Sequence, residues 1–106
     1  MHWLDYLSWF CGGLFLTNAL PHFLAGVMGH AFQSPFAKPP GQGLSPSWVN
    51  VLWGFANIVV GYLLVLRVGD FDPRSLTDAA ALGAGVLLGG LFLAYSFGRF
   101  NDGAAP

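Results

Sequence analysis

Trp48-Val-Asn-Val-Leu-Trp-Gly-Phe-Ala-Asn-Ile-Val-Val-Gly-Tyr-Leu-Leu-Val-Leu66-Arg67 is an apolar run with no charge before its closing arginine. A helix crosses a bilayer core of roughly 30 Å with about 20 mostly apolar residues. This stretch meets that length, and it predicts a transmembrane helix over 48–67. The rest of the chain follows suit. Its charged residues are Asp5, Lys38, Arg67, Asp70, Asp72, Arg74, Asp78, Arg99 and Asp102, and the uncharged runs between them predict further spans over 6–29 and 77–97. Of 106 residues, 8% are charged, 55% hydrophobic and 16% aromatic. A soluble domain carries roughly 25% charged residues, and a chain this short has too little interior to hide so much apolar surface. The composition excludes a water-soluble enzyme, a basic nucleic-acid binder and a disordered tail. It predicts an all-α, three-helix polytopic membrane protein, a single transmembrane domain over 1–106.

The opening Met1-His2-Trp3-Leu4-Asp5-Tyr6 lacks Lys and Arg, so the first span is expected to stay in place rather than be cleaved as a signal peptide. Trp3, Tyr6 and Trp9 at one end and Trp48, Trp53, Tyr95 and Phe100 at the other are placed where aromatic belts form. Three spans put the N-terminus and the 68–76 loop on one side, and 30–47 with the C-terminal tail on the other. Arg67 and Arg74 then balance Lys38 and Arg99, so the positive-inside rule gives no orientation. Gly69, Asp72-Pro73 and Ser75 read as stop and capping signals, and they predict an antiparallel hairpin of helices 2 and 3. The connection over 30–47 holds Pro35, Pro39, Pro40 and Pro46, a spacing expected to exclude helix and sheet and to favour a stiff, ordered path. Phe32, Phe36, Lys38, Pro39 and Pro40 make it a candidate docking loop for a partner. Pro21 removes a bond to the Thr17 carbonyl and predicts a kink in helix 1, with the Thr17 hydroxyl or Asn18 amide as replacement donor.

Polar and small residues recur at helix-seam spacing. Helix 1 offers Ser8, Cys11, Phe15, Asn18, His22, Ala25 and Gly29; helix 2 offers Asn50, Gly54, Asn57 and Gly61; helix 3 offers Ala81, Gly85 and Gly89. Small residues let membrane helices approach closely, and Asn and His hydrogen-bond across them. Gly54, Gly61, Gly85 and Gly89 are therefore expected at helix contacts. Asn18, His22, Asn50 and Asn57 form the expected polar intramembrane cluster, with His22 bridging Asn18 or Asn57. His22 is also the candidate for a cofactor, since two copies facing each other could present two axial histidines to a b-type haem. A metal site within one chain is not expected: His22 and His30 lie eight residues apart, about 12 Å along a helix. Cys11 and His22 are three turns apart, beyond the reach of a nucleophile and its base. No enzyme is expected and no cofactor is required.

Three stretches carry a resemblance: Asn18-Ala-Leu-Pro-His22, Ser34-Pro-Phe-Ala-Lys-Pro-Pro-Gly41 and Asn50-Val-Leu-Trp-Gly-Phe-Ala-Asn57. Together they resemble small hypothetical inner-membrane proteins of bacteria, a group without assigned activity. The resemblance implies a bacterial inner membrane and supplies no catalytic residue. The expectation is a small non-catalytic membrane protein, a structural or accessory subunit of a homo-oligomer or larger membrane complex. Its partners would be the bilayer, copies of itself or other membrane subunits, and not nucleic acid. The alternatives are a small oligomeric channel or transporter with a polar path, and a b-type haem protein.

Overall fold

The computed structural model describes residues 2–103. Three helices account for most of them: α1 (Trp3–Val27), α2 (Ser47–Leu66) and α3 (Leu76–Gly98). All three are long and apolar enough to cross a membrane. The longest dimension, 42 Å, matches a bilayer of roughly 40–45 Å with its headgroup layers. The architecture is that of a membrane-embedded helical chain.

Local chemistry sets the helix ends. His2 caps α1, its side chain accepting from the Leu4 amide at 3.2 Å. At the other end Gly29 takes φ +77°, the His30 amide donates to Ala25 and the Gly29 amide to Gly26. This is a Schellman closure, which needs a residue free to enter the left-handed region. α3 starts one turn later than Asp72-Pro73 suggests. Ser75 is the cap and accepts from the Asp78 amide, while the Asp72 carboxylate closes a turn on the Arg74 amide at 2.9 Å. The buried Asp78 carboxylate in turn accepts from the Asp72 amide at 3.0 Å, so the whole turn is tied to the first turn of α3. Arg67 and Arg99 occupy the C-caps of α2 and α3, where a positive charge suits the helix dipole.

α1 is central. It packs along both α2 and α3, which scarcely touch each other. The expected hairpin of helices 2 and 3 is therefore corrected: they are joined by a short loop but docked on opposite flanks of α1. The cause is the pair Gly12-Gly13. A Cβ on Gly12 would strike the Val65 side chain of α2, and one on Gly13 would meet the Leu82 carbonyl of α3 at 2.5 Å. Two adjacent glycines thus open two flanks of one helix. Gly26 continues the α2 seam, where an added Cβ would lie 2.7 Å from the Ser47 carbonyl. The helix 1 stripe inferred from sequence is corrected with it. Phe15 and Gly29 are exposed, and the buried residues are Trp9, Gly12, Gly13, Thr17, Ala19, His22 and Gly26.

The two ends of the bundle are distinct. At one, Tyr6 meets Thr77 and Trp9 meets Val68. Trp9 does not belong to an interfacial belt: it is 0% exposed, its Nε1 donates to the Val68 carbonyl at 2.9 Å, and its ring packs edge-on against Tyr6 and Phe71. At the other end, the 30–47 connection folds onto the bundle. It contains a two-residue antiparallel ladder, β1 (Phe32–Gln33) with β2 (Leu44–Ser45), paired Phe32 to Ser45 and Gln33 to Leu44. The expectation that proline excludes sheet here is overturned, because Pro35, Pro39, Pro40 and Pro46 all fall outside the paired residues. Turns complete the loop: the Gly41 amide donates to the Ser34 carbonyl at 2.8 Å and the Gly43 amide to the Pro39 carbonyl at 2.9 Å. The Ser34 and Ser45 hydroxyls bond to each other beneath it.

Candidate functional site: a paired polar core beneath an ordered loop

Placing an amide or imidazole in hydrocarbon is costly unless each finds a partner. The four polar residues singled out in the sequence answer that cost as two separate units rather than one cluster. Asn18 Nδ2 donates to Asn57 Oδ1 at 3.0 Å, joining α1 to α2 near the middle of both helices. Asn57 Nδ2 donates to the Trp53 carbonyl at 2.8 Å, one turn back on its own helix. Nearer the loop, one turn along α1 and two along α2, His22 Nδ1 is 2.8 Å from Asn50 Oδ1. The expected bridge from His22 to Asn18 or Asn57 is thus corrected: the partner is Asn50, because Asn57 already faces Asn18.

Asn50 is the hub of the second unit. It is 0% exposed. Its Nδ2 lies 3.3 Å from the Phe32 carbonyl, 3.2 Å from the Ser45 carbonyl and 3.3 Å from the Pro46 carbonyl. One side chain on α2 therefore holds His22 of α1 with its oxygen and both strands of the loop ladder with its nitrogen. His22 is 2% exposed and is surrounded by rings: Phe32 and Phe97 stand edge-on with centroids at 5.7 and 5.6 Å, and Trp53 at 6.4 Å. Phe32 also packs on Phe97 at 4.8 Å, and Asn101 Nδ2 donates to Gln33 Oε1 at 2.9 Å. All three helices thus meet the loop at this end.

The docking-loop residues divide. Phe32 faces inward and is unavailable to a partner. Phe36 is largely exposed, although its ring rests edge-on against Trp53 at 5.2 Å; Lys38, Pro39 and Pro40 are exposed. The four contact glycines all lie against α1. An added Cβ on Gly54 would meet the Phe23 backbone at 2.7 Å, and one on Gly61 the Leu16 side chain at 2.5 Å. On Gly85 it would run into the Phe10 carbonyl oxygen, and on Gly89 it would press on Leu14 at 3.1 Å. Thr17 bonds across to the Val86 carbonyl at 3.4 Å, so neither it nor Asn18 turns back to the carbonyl opposite Pro21, and α1 remains helical through that proline. Sequence reasoning missed Gly12, Gly13, Gly26 and the ladder, and it put Trp9 in a belt rather than in the core. A Gly-Gly pair in mid-span was the available signal for the first two.

What the site can do chemically is limited. His22 has its Nδ1 engaged and sits among packed rings, so an axial bond to haem between two copies would require Phe32 or Phe97 to move. Among the described residues no three His, Cys, Asp or Glu side chains come together as a metal site. No family model, curated protein or solved structure matches the chain.

Proposed function

We propose that this chain is a non-catalytic integral membrane protein that serves as a structural or accessory subunit, in a homo-oligomer or a larger complex of the bacterial inner membrane. The observation that carries the reading is the closure of the polar groups on one another. Asn18 with Asn57, and His22 with Asn50 and the loop, form two self-contained pairs across the α1–α2 seam. A transport path would instead set such groups along a wet passage. The bend expected at Pro21, between the two pairs, would fit the same picture by steering the end of α1 under the loop. The outward surface adds support. α3 keeps the smallest share of its residues buried, and Leu87, Leu91, Phe92 and Tyr95 all project from it. Lipid or neighbouring subunits must cover that face.

Two measurements test the proposal together. In mild detergent, the purified chain is expected to run as an oligomer or with a co-purifying membrane protein. Asn57→Leu is expected to destabilise the fold by about 1–3 kcal/mol, since it strands the Asn18 amide in the seam. A strictly monomeric chain in which Asn57→Leu left stability untouched but altered ion flux in vesicles would overturn the reading in favour of a channel.

A further inference from the structure

The flank of α2 beneath the loop carries a groove of about 520 Å³, within the roughly 300–1,000 Å³ of ligand pockets. Trp48, Val49, Leu52, Trp53 and Ala56 line its length, and Phe36 of the loop joins them. From Trp48 to Ala56 the helix advances eight residues, a rise of about 12 Å. One leaflet holds roughly 15 Å of hydrocarbon, half the bilayer core. The groove therefore follows α2 through most of a leaflet's depth, which is the direction and the length of an acyl chain.

The loop does not lift this groove out of the membrane. Phe36 rests on Trp53 with ring centroids at 5.2 Å, and Trp53 lies about 9 Å inside α2 from its first residue, Ser47. The 25 residues of α1 alone reach about 37 Å, and the whole molecule measures 42 Å, so the loop stands little above the helix ends. Phe36, Trp48 and Leu52 are 62%, 65% and 60% exposed, and at that depth lipid is the medium around them. Charge narrows the choice of lipid. Lys38 is the one charged residue between Asp5 and Arg67, and it is exposed. It follows Phe36 by two residues, at most about 7 Å of chain, which puts its ammonium within reach of the headgroup layer above the groove. A second copy inserted in the same direction would offer Lys38 no acid except Asp102, because Asp5, Asp70, Asp72 and Asp78 belong to the opposite end. We propose that the groove seats one acyl chain of a phospholipid, with the Lys38 ammonium pairing with its phosphate. This goes beyond the subunit reading and does not depend on it, since a lipid held on α2 leaves the face of α3 free for neighbours.

The test uses the purified full chain in mild detergent, native mass spectrometry, and two probes that differ only by the phosphate, dioleoylphosphatidic acid and dioleoylglycerol. One phosphatidic acid per chain is expected to be retained, about fivefold tighter than the diacylglycerol, the effect of one basic residue beside an anionic lipid. Lys38→Gln, a change at an exposed loop position, is expected to bring that preference below twofold. Ala56→Trp, at an exposed position on α2, fills the groove and is expected to abolish saturable binding of both probes. Equal retention of the two probes by the parent chain, an undiminished preference in Lys38→Gln, or saturable binding that survives Ala56→Trp would each overturn the proposal. An oligomer that Ala56→Trp dissociates while phosphatidic acid stays bound would overturn it too, and would give the groove to a second copy.

Discussion

Replacing Asn50 by leucine tests the hub most directly. The two side chains share the same branching and number of heavy atoms, so the change removes the hydrogen bonds while keeping the skeleton, at the cost of some added bulk. His22 Nδ1 loses its one partner among the described residues, at 2.8 Å, and the Phe32 and Ser45 carbonyls lose a shared donor at 3.3 and 3.2 Å. Pro46 is spared, because its carbonyl also accepts from the Val49 and Asn50 amides. A buried polar group left unpaired costs about 1–3 kcal/mol. With the imidazole stranded and two carbonyls weakened, a total near 3 kcal/mol is expected. A domain of about 100 residues loses roughly 4–8 °C of Tm per kcal/mol, which puts the drop at about 12–24 °C for a thermal melt in mild detergent. The damage has a location as well. Hydrogen exchange is expected to accelerate at Gly41 and Gly43, whose amides bond within the loop, while the amides of α1 and α3 around the Gly13–Gly85 contact stay protected. A Tm within 2 °C of the parent, with Gly41 and Gly43 still slow to exchange, would refute the assignment of Asn50 as the link between bundle and loop.

Gly85→Leu is expected to push α3 off α1, since even a methyl group there meets the Phe10 carbonyl, at a cost of about 1–3 kcal/mol; Gly83→Ala, facing open space, is expected to be neutral or to gain up to about 1 kcal/mol from helix propensity, both read from thermal melts. Trp9→Phe removes the bond to the Val68 carbonyl and part of a buried ring, for a loss of about 1–3 kcal/mol; a variant as stable as the parent would return Trp9 to an interfacial role. Cysteines at positions 38 and 70, in a chain lacking Cys11, are expected to react with a membrane-impermeant reagent from opposite sides, and labelling of both from one side in a population inserted one way would defeat the three-span arrangement.

Helix 2 was the most legible element, and its contacts explain why. It has one helical neighbour, so Asn50, Gly54, Asn57, Gly61 and Val65 fall on one buried stripe, and a single period describes them. α1 has two neighbours and hence two buried flanks, which a single 3-4 repeat cannot represent; the repeat ran through Phe15 and missed Gly12 and Gly13. The glycines of α3 were readable for the same reason as α2, since Gly85 and Gly89 face only α1. The loop ladder was invisible because two-residue strands carry no periodicity. Its register is held by Asn50 and by the Ser34–Ser45 pair, contacts between residues distant in sequence. Trp9 misled because a belt residue and a core residue look alike until the 68–76 turn folds back over one of them. The polar residues themselves were found from sequence, but their pairing was not: composition names the donors and acceptors, and only geometry assigns His22 to Asn50.

The star-shaped contact pattern, with α1 in the centre, bears on how the chain is built. Helices enter the membrane in the order of synthesis, so of these three α1 precedes the others, with His22 and Asn18 lacking the partners that α2 later brings. Membrane insertion of α2 satisfies both at once, and the loop ladder can close over the pair as soon as Asn50 is in place. α3 then docks on the other flank without disturbing what has formed, because it shares almost nothing with α2. Assembly becomes two additions to one template, the second also closing on the loop through Phe97 against Phe32 and His22. The helix made first is thus the one every later step is read against, which places the burden of correct biogenesis on α1 and on the two adjacent glycines at its waist.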